Sequence, residues 1–314
     1  MPRDLARPDL YARVTDAIVA DLEAGVRPWT KPWSAGGRTG PVSRPLRAGG
    51  QPYSGVNVLL LWSEALAQGF TVPTWMTFRQ AAALGGQVRR GEHGATVVYA
   101  NRVRRREERD GQSVERSIPF LKAYSVFNVA QIDGLPAAYT AGPLAAPPAD
   151  RRIQQAEDFF AATGARIRYG GDAAYYAPGP DHIQMPAAAS FPDIVDFYAT
   201  LAHECVHWTR PAGRLDRDFG RKRWGDAGYA CEELVAELGA AFLCADLGLE
   251  LHPRRDHADY IGDWLQVLRN DKRFLFRAAA FAQKACEYLR GLQPPAAATG
   301  ADVADAAQAA GAAG

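Results

Sequence analysis

The chain is predicted to fold as α+β in two domains, a mixed α+β domain followed by a mostly helical one with a small β-sheet. Three observations predict this. Helical and strand-like patterns alternate over the first 130 residues, whereas apolar helical repeats dominate afterwards. Between the two lies Gly134 to Asp150, where Pro136, Pro143, Pro147 and Pro148 read as a linker. Charge also changes sign across it: residues 1–130 hold 18 Lys and Arg against 11 Asp and Glu, and the remainder holds 18 against 24. The expected organisation is a first domain over 1–133, a linker over 134–150, a second domain over 151–291 and a disordered tail over 292–314. With 47% hydrophobic residues, the 314-residue chain can fill two ordinary cores.

Asp9 to Glu23 carries Leu10, Val14, Ile18 and Leu22 at helical spacing. The pattern then breaks at Val26-Arg-Pro-Trp-Thr-Lys-Pro-Trp33. Trp29 and Trp33 beside Arg27 and Lys31 suit a surface where rings stack on unpaired bases and cations follow phosphates. Packing of this loop onto the core is the competing reading. A helix is expected from about Asn57 to Ala67, and another after Trp75-Met-Thr-Phe-Arg-Gln80, with Thr77 as N-cap. Gly85-Gly-Gln-Val-Arg-Arg-Gly-Glu-His-Gly94 is a glycine-rich basic turn lacking the Gly-Lys-Ser/Thr ending of a P-loop. It leads into a strand over Ala95 to Tyr99. Arg102 to Arg109 reads as a solvated hairpin tip, with phosphate contact as the alternative, and Pro119 to Val129 as the returning strand. The basic excess points to a polyanion partner for this domain.

In the second half, Tyr175 to Pro186 reads as a hairpin around Pro178-Gly-Pro180. The stretch that carries chemistry follows it: Leu201-Ala-His-Glu-Cys-Val-His-Trp208, on a helix free of Pro and Gly from Asp193 to Arg210. His203 and His207, four apart, share a helix face and can chelate one Zn²⁺, with another divalent ion such as Mn²⁺ as the alternative. Glu204 between them is placed to take a proton from a water at that site. A second helix, Tyr229 to Cys244, carries Glu233 and Glu237 on one face. Glutamates on so apolar a helix need a positive partner, which a metal supplies. Glu233 is assigned as the third ligand, and Glu237 as the group accepting a hydrogen bond from a ligand imidazole. The reverse assignment stays open, and Glu232 is expected to face elsewhere. Cys205, Cys231, Cys244 and Cys286 form no CxxC pair and read as buried thiols in a reducing compartment. The N-terminus lacks an apolar signal segment, and the longest apolar run, around Val56 to Trp62, is too short to span a bilayer. A cytoplasmic protein with no membrane partner is expected.

Both halves resemble the ArdC-type antirestriction proteins of plasmids and phages, and the N-terminal part of some plasmid primases. In the first half the resemblance rests on Pro28-Trp29 and Trp33, Tyr53-Ser-Gly-Val-Asn57, Trp75 to Gln80, Gly85 to Glu92 and Val126-Phe-Asn128. In the second it rests on Leu201 to Thr209, Arg214-Leu-Asp-Arg217 and Glu232 to Glu237. The family pattern usually has Leu or Ile at Cys205, and Gly where this chain has Arg210. The resemblance implies a domain that binds single-stranded DNA joined to a zincin-like metallopeptidase domain, and protection of incoming plasmid DNA from host restriction during conjugation. On the residues, DNA contacts are expected from Trp29, Lys31, Trp33, Tyr53, Asn57, Trp75, Arg79, Gln80, Arg89 and Arg90. Metal ligation is expected from His203, His207 and Glu233, and catalysis from Glu204. Zincin-type peptidases hold an extended peptide on an edge strand, a role expected for Asp181 to Met185. The alternative function is a zinc-dependent peptidase that cleaves a DNA-associated protein, with the basic domain for targeting.

Overall fold

The computed structural model describes residues 9–29, 43–109, 112–140, 148–220, 227–249 and 258–295. Helix α1 (Leu10–Glu23) starts at Asp9, whose carboxylate accepts from the Tyr11 N–H, and buries Val14, Ile18 and Leu22. Strand β1 (Leu46–Arg47) precedes α2 (Val56–Gln68), which ends on left-handed Gly69. After β2 (Thr74–Met76), α3 (Phe78–Ala83) opens with a capping box between Thr77 and Gln80. Strand β3 (Gln87–Val88) is followed by the long pair β4 (Ala95–Arg109) and β5 (Gln112–Asn128). Strand β6 (Ile132–Asp133) and α4 (Ala137–Thr140) complete the first half. The second half contains α5 (Ala149–Ala162), β7 (Ile167–Tyr169), β8 (Tyr175–Ala177), β9 (His182–Met185), α6 (Ile194–Trp208), α7 (Ala227–Leu247), α8 (Ala258–Asn270) and α9 (Phe274–Gly291). No helix among the described residues is long and apolar enough to cross a membrane.

The first sheet has the order β1-β2-β5-β4, and β3 pairs with β6 beside it. Pairing of β4 with β5 runs unbroken from Ala95 opposite Val126 to Arg109 opposite Gln112. At about 3.3 Å per residue this hairpin reaches roughly 50 Å. The sequence reading of Arg102 to Arg109 as a hairpin tip is therefore corrected: these residues lie in paired strand. A two-stranded arm needs no buried face to hold its ladder, so alternation fades while pairing continues. The outer edge of β4 is covered by Asn57, whose amide donates to the Val98 carbonyl (2.8 Å) and accepts from the Val98 N–H (2.7 Å).

The second sheet has the order β7-β9-β8, with β7 parallel and β8 antiparallel to β9. The Pro-Gly-Pro hairpin is present, but β9 is the central strand. The edge expected at Asp181 to Met185 lies instead at β8, because β7 takes the other side of β9.

The two halves share one apolar core, where the composition predicted two. Tyr11 packs on Phe276 (4.7 Å between centroids), Trp62 on Phe242 (5.8 Å) and Trp29 on Trp264 (6.4 Å). Arg44 sits over the Phe242 ring at 4.3 Å while its Nε meets Asp246 at 3.1 Å. Met76, Ala81, Val129, Ile132 and Leu135 form a small separate cluster.

Helix α7 packs on α6 at Gly239, where a Cβ would lie 2.6 Å from Val206 Cγ2. The missing side chain lets α7 sit against α6. Gly239→Ala is expected to push the helices apart and cost about 1–3 kcal/mol, read as a lowered midpoint in denaturant unfolding.

Candidate metal centre

Helix α6 is set by Asp193, which caps it by accepting from the Val195 N–H (2.9 Å), and by the buried Phe197, Leu201 and Val206. Its regular turn brings the rings of His203 and His207 to 4.8 Å between centroids, with Nε2 atoms 3.1 Å apart. From α7, Glu233 places Oε2 3.3 Å from His203 Nε2 and Oε1 3.5 Å from His207 Nε2. All three ligating atoms lie within 4.8 Å of one another. Ligands held at ~2.0–2.1 Å on a tetrahedral ion stand about 3.3–3.4 Å apart, so the observed spacings bracket the edge of that tetrahedron. The arrangement fits a divalent ion.

The hydrogen bonding agrees. His207 Nδ1 lies 3.2 Å from Glu232 Oε1. Glu232 is itself held by buried Arg217, through Nη2 (2.6 Å) and Nε (2.7 Å). Arg217 also donates to the Val206 carbonyl (2.9 Å) and to Thr209 Oγ1 (3.1 Å), which locks it to the end of α6. A carboxylate so clamped accepts, so the Nδ1 of His207 carries a proton and its Nε2 faces Glu233 and His203. Electron-pair donors converging on one point require a cation there. With no metal, a proton fills that role. Burial disfavours the charged imidazolium of His207, but Glu233 and then Glu232 outweigh it and lift its pKa to about 10. Burial likewise opposes ionisation of Glu233, yet His207 and His203 hold it far below the usual carboxylate range.

Glu232 and Glu237 exchange the roles expected of them. Glu232 was expected to face elsewhere, and it is the carboxylate beside the ligand imidazole. Glu237, one turn beyond Glu233, accepts from Trp29 Nε1 at 3.0 Å. Consecutive glutamates differ by about 100° around a helix, so both can face a neighbour that wraps the helix. The signal available in the sequence was Arg217, a cation able to hold a second buried glutamate. Glu204 is buried and, among the described residues, has no hydrogen-bond partner. The Cys205 thiol is pushed up by burial first and by Glu204 second, which makes it a poor nucleophile.

Arg214 ties the second sheet to this centre. It pairs with Asp181 (2.7 Å), donates to the Tyr176 hydroxyl (2.9 Å) and lies 4.2 Å over the Trp208 ring. The end of the metal helix is thereby fixed to the β8–β9 hairpin.

The residues expected to touch DNA are scattered. Trp29 is 1% exposed, wedged between Trp264 and Glu237, and Tyr53 and Trp75 are also buried. None of these three rings is exposed in this structure. Burial comes from partners distant in sequence, which a polar local context conceals. The amide of Asn57 makes one donor and one acceptor bond to Val98, and Gln80 Oε1 accepts from the backbone and hydroxyl of Thr77. Arg89 donates to Glu92 (2.7 Å), Asp133 (3.4 Å) and the Ala130 carbonyl (2.7 Å), so its charge is largely compensated locally. Arg79 and Arg90 are exposed. Lys31 and Trp33 lie outside the described residues.

Two family models match the chain, one in each half. A model of the N-terminal domain of the anti-restriction factor ArdC matches residues 8–127, and a zincin-like metallopeptidase model matches 154–281. The chain is 43% identical over 292 residues to the uncharacterised protein y4eC of Sinorhizobium fredii, covering 91% of this chain and 92% of that one. It is 36% identical over 303 residues to a DNA primase TraC of Escherichia coli, covering 89% of this chain but 27% of the primase. The metal-free crystal structure of the antirestriction protein ArdC from plasmid R388 superposes with a TM-score of 0.76 at 46% identity, covering 90% of this chain and 97% of that one. The Mn(II)-bound structure of that protein gives 0.74 at 43%, covering 92% and 100%.

Two outcomes are expected of the metal centre. Glu232→Gln lowers metal affinity about 10–100-fold by loosening His207, measured by competition with a chelating dye. Metal loading must also displace the His207 proton. Below about pH 10 affinity therefore rises about tenfold per pH unit, with about one proton released per ion. Calorimetry in buffers of different ionisation enthalpy reads this directly. The metal-free protein shows the opposite sense. The raised His207 pKa stabilises it fully below its ordinary ~6.5, and that stability is lost as pH rises through about 10.

Proposed function

The chain belongs to the family of the antirestriction protein ArdC, and we propose on that footing that it binds single-stranded DNA and shields incoming plasmid DNA from host restriction. Its zincin-like half carries a metal site of the hydrolytic kind. The observation that supports the site reading is the convergence of His203, His207 and Glu233 with no fourth protein ligand among the described residues. Structural zinc sites close their coordination with four protein ligands, whereas hydrolytic ones keep a position open. Two imidazoles and a carboxylate suit Zn²⁺ and also accept Mn²⁺.

A divalent ion there supplies Lewis acidity that polarises a carbonyl and acidifies a water. The chain's own residues do the rest. Glu204 accepts a proton at a carboxylate oxygen and returns it to the departing amine. Glu232 and Arg217 keep His207 in the tautomer whose Nε2 faces the site. The free edge of β8 can pair with an extended peptide through its main chain.

The excess of 18 basic over 11 acidic residues in the first 130 supports the DNA half of the reading. A second reading, a peptidase acting on a DNA-associated protein, is favoured by the buried carboxylate of Glu204 on the helix that carries His203 and His207.

Glu204→Ala separates the two. It is expected to leave metal and DNA binding intact and to abolish any peptide hydrolysis, while protection of transferred DNA in a mating assay persists. Loss of protection would transfer the role to the peptidase. Affinity for an oligothymidylate is expected to fall at least tenfold between low and physiological salt. A salt-independent affinity would remove the electrostatic basis of the DNA reading.

A further inference from the structure

Trp29, Tyr53 and Trp75, named for DNA contact in the sequence, are buried, yet another set of rings stands in the open. Residues directly opposite in an antiparallel pair share a face. Tyr99 lies opposite Lys122, so Tyr124 and Phe120, two residues to either side of Lys122, lie on the same face of the β4–β5 arm. Tyr99 is 48% exposed and Tyr124 41%. The rings of Tyr99 and Phe120 are 6.2 Å apart, and Lys122 Nζ lies 5.3 Å from the Phe120 centroid. Asn101 donates to the Tyr99 hydroxyl and fixes that ring. At the base of the arm this face enters the core through Val97, opposite Tyr124, and the Ala95–Val126 pair, and the other face packs there through Val98 and Leu121; Tyr99 and Phe120 lie beyond that point. Below Tyr124 lies Tyr53, whose hydroxyl is pushed up to about 12 by burial first and Tyr124 second. Over the Tyr53 ring stands exposed Arg47, at 5.4 Å.

We propose that this aromatic face of the β4–β5 hairpin, Tyr124, Tyr99 and Phe120 flanked by Lys122 and Arg47, is the platform on which unpaired bases of a single strand stack. The inference rests on the single-stranded-DNA reading above and gives it a place on the molecule. Charge selects the occupant: residues 95–128 hold seven Lys and Arg against four Asp and Glu, which suits a polyanion. Phe120 and Tyr124 stand four residues apart on β5, about 13 Å along the strand, and Tyr99 faces the gap between them from β4. Base faces are common to all sequences, so the platform binds without sequence preference.

The test uses the full chain and a fluorescein-labelled oligothymidylate, read by anisotropy. The double variant Tyr99→Ala/Tyr124→Ala is expected to bind about tenfold or more weakly, and Tyr99→Phe/Tyr124→Phe to bind like the parent. An abasic strand of equal length is expected to bind parent and Ala variant alike, because it has no base to stack. Equal binding of the base-bearing strand by parent and Ala variant would overturn the platform while leaving DNA binding by the chain in place. That result would mark the face as a surface for a protein. Failure of the parent to bind any single strand would instead overturn the underlying reading. If the Ala variant loses its folded melting transition, Tyr99→Trp decides: its fluorescence is quenched on adding the strand, and an unchanged spectrum overturns the platform.

Discussion

Helix α7 carries three buried glutamates, Glu232, Glu233 and Glu237, inside a segment dominated by Ala and Leu. An ionised carboxylate withdrawn from water is unfavourable by several kcal/mol unless a partner restores what the solvent gave. The structure answers this separately at each position. Arg217 clamps Glu232 from the segment after α6. The two imidazoles of α6 meet Glu233. Trp29, from the first half of the chain, donates to Glu237. The three partners come from three parts of the sequence, so one helix dictates where each must fold.

The same requirement governs how His203, His207 and Glu233 converge. The α6–α7 contact is drawn in by the glycine at 239, which allows the carboxylate of Glu233 to reach both imidazoles. Glu232 then fixes which nitrogen of His207 looks inward. Ligand direction follows from a salt bridge buried one layer out, and that salt bridge in turn holds the last turn of α6 through the Val206 carbonyl.

Much of this was legible in the sequence. The helix over Asp193 to Arg210, the pairing of His203 with His207 by spacing, the α7 segment and the Thr77 cap all rest on local periodicity and local chemistry. Long-range partners were not legible. Nothing near Trp29 in sequence signals that Trp264 and Glu237 will enclose it, and nothing near Glu232 signals Arg217. The β4–β5 arm was shortened for the converse reason. Its pairing continues where hydrophobic alternation ends, because backbone ladders need no pattern of side chains. Tyr99 and Tyr124 were therefore read as parts of ordinary strands.

The bond from Trp29 to Glu237 also bears on inheritance. If the N-terminal segment were lost, Glu237 would keep its charge in the interior with no donor from that side, and Trp264 would lose its cover. Recombination that separates the two halves is thus penalised by the interior of the protein itself. A gene that acquires one half gains a folded product by acquiring both. The related primases, far longer than this chain, match it across nearly its whole length, as expected of a unit transmitted intact.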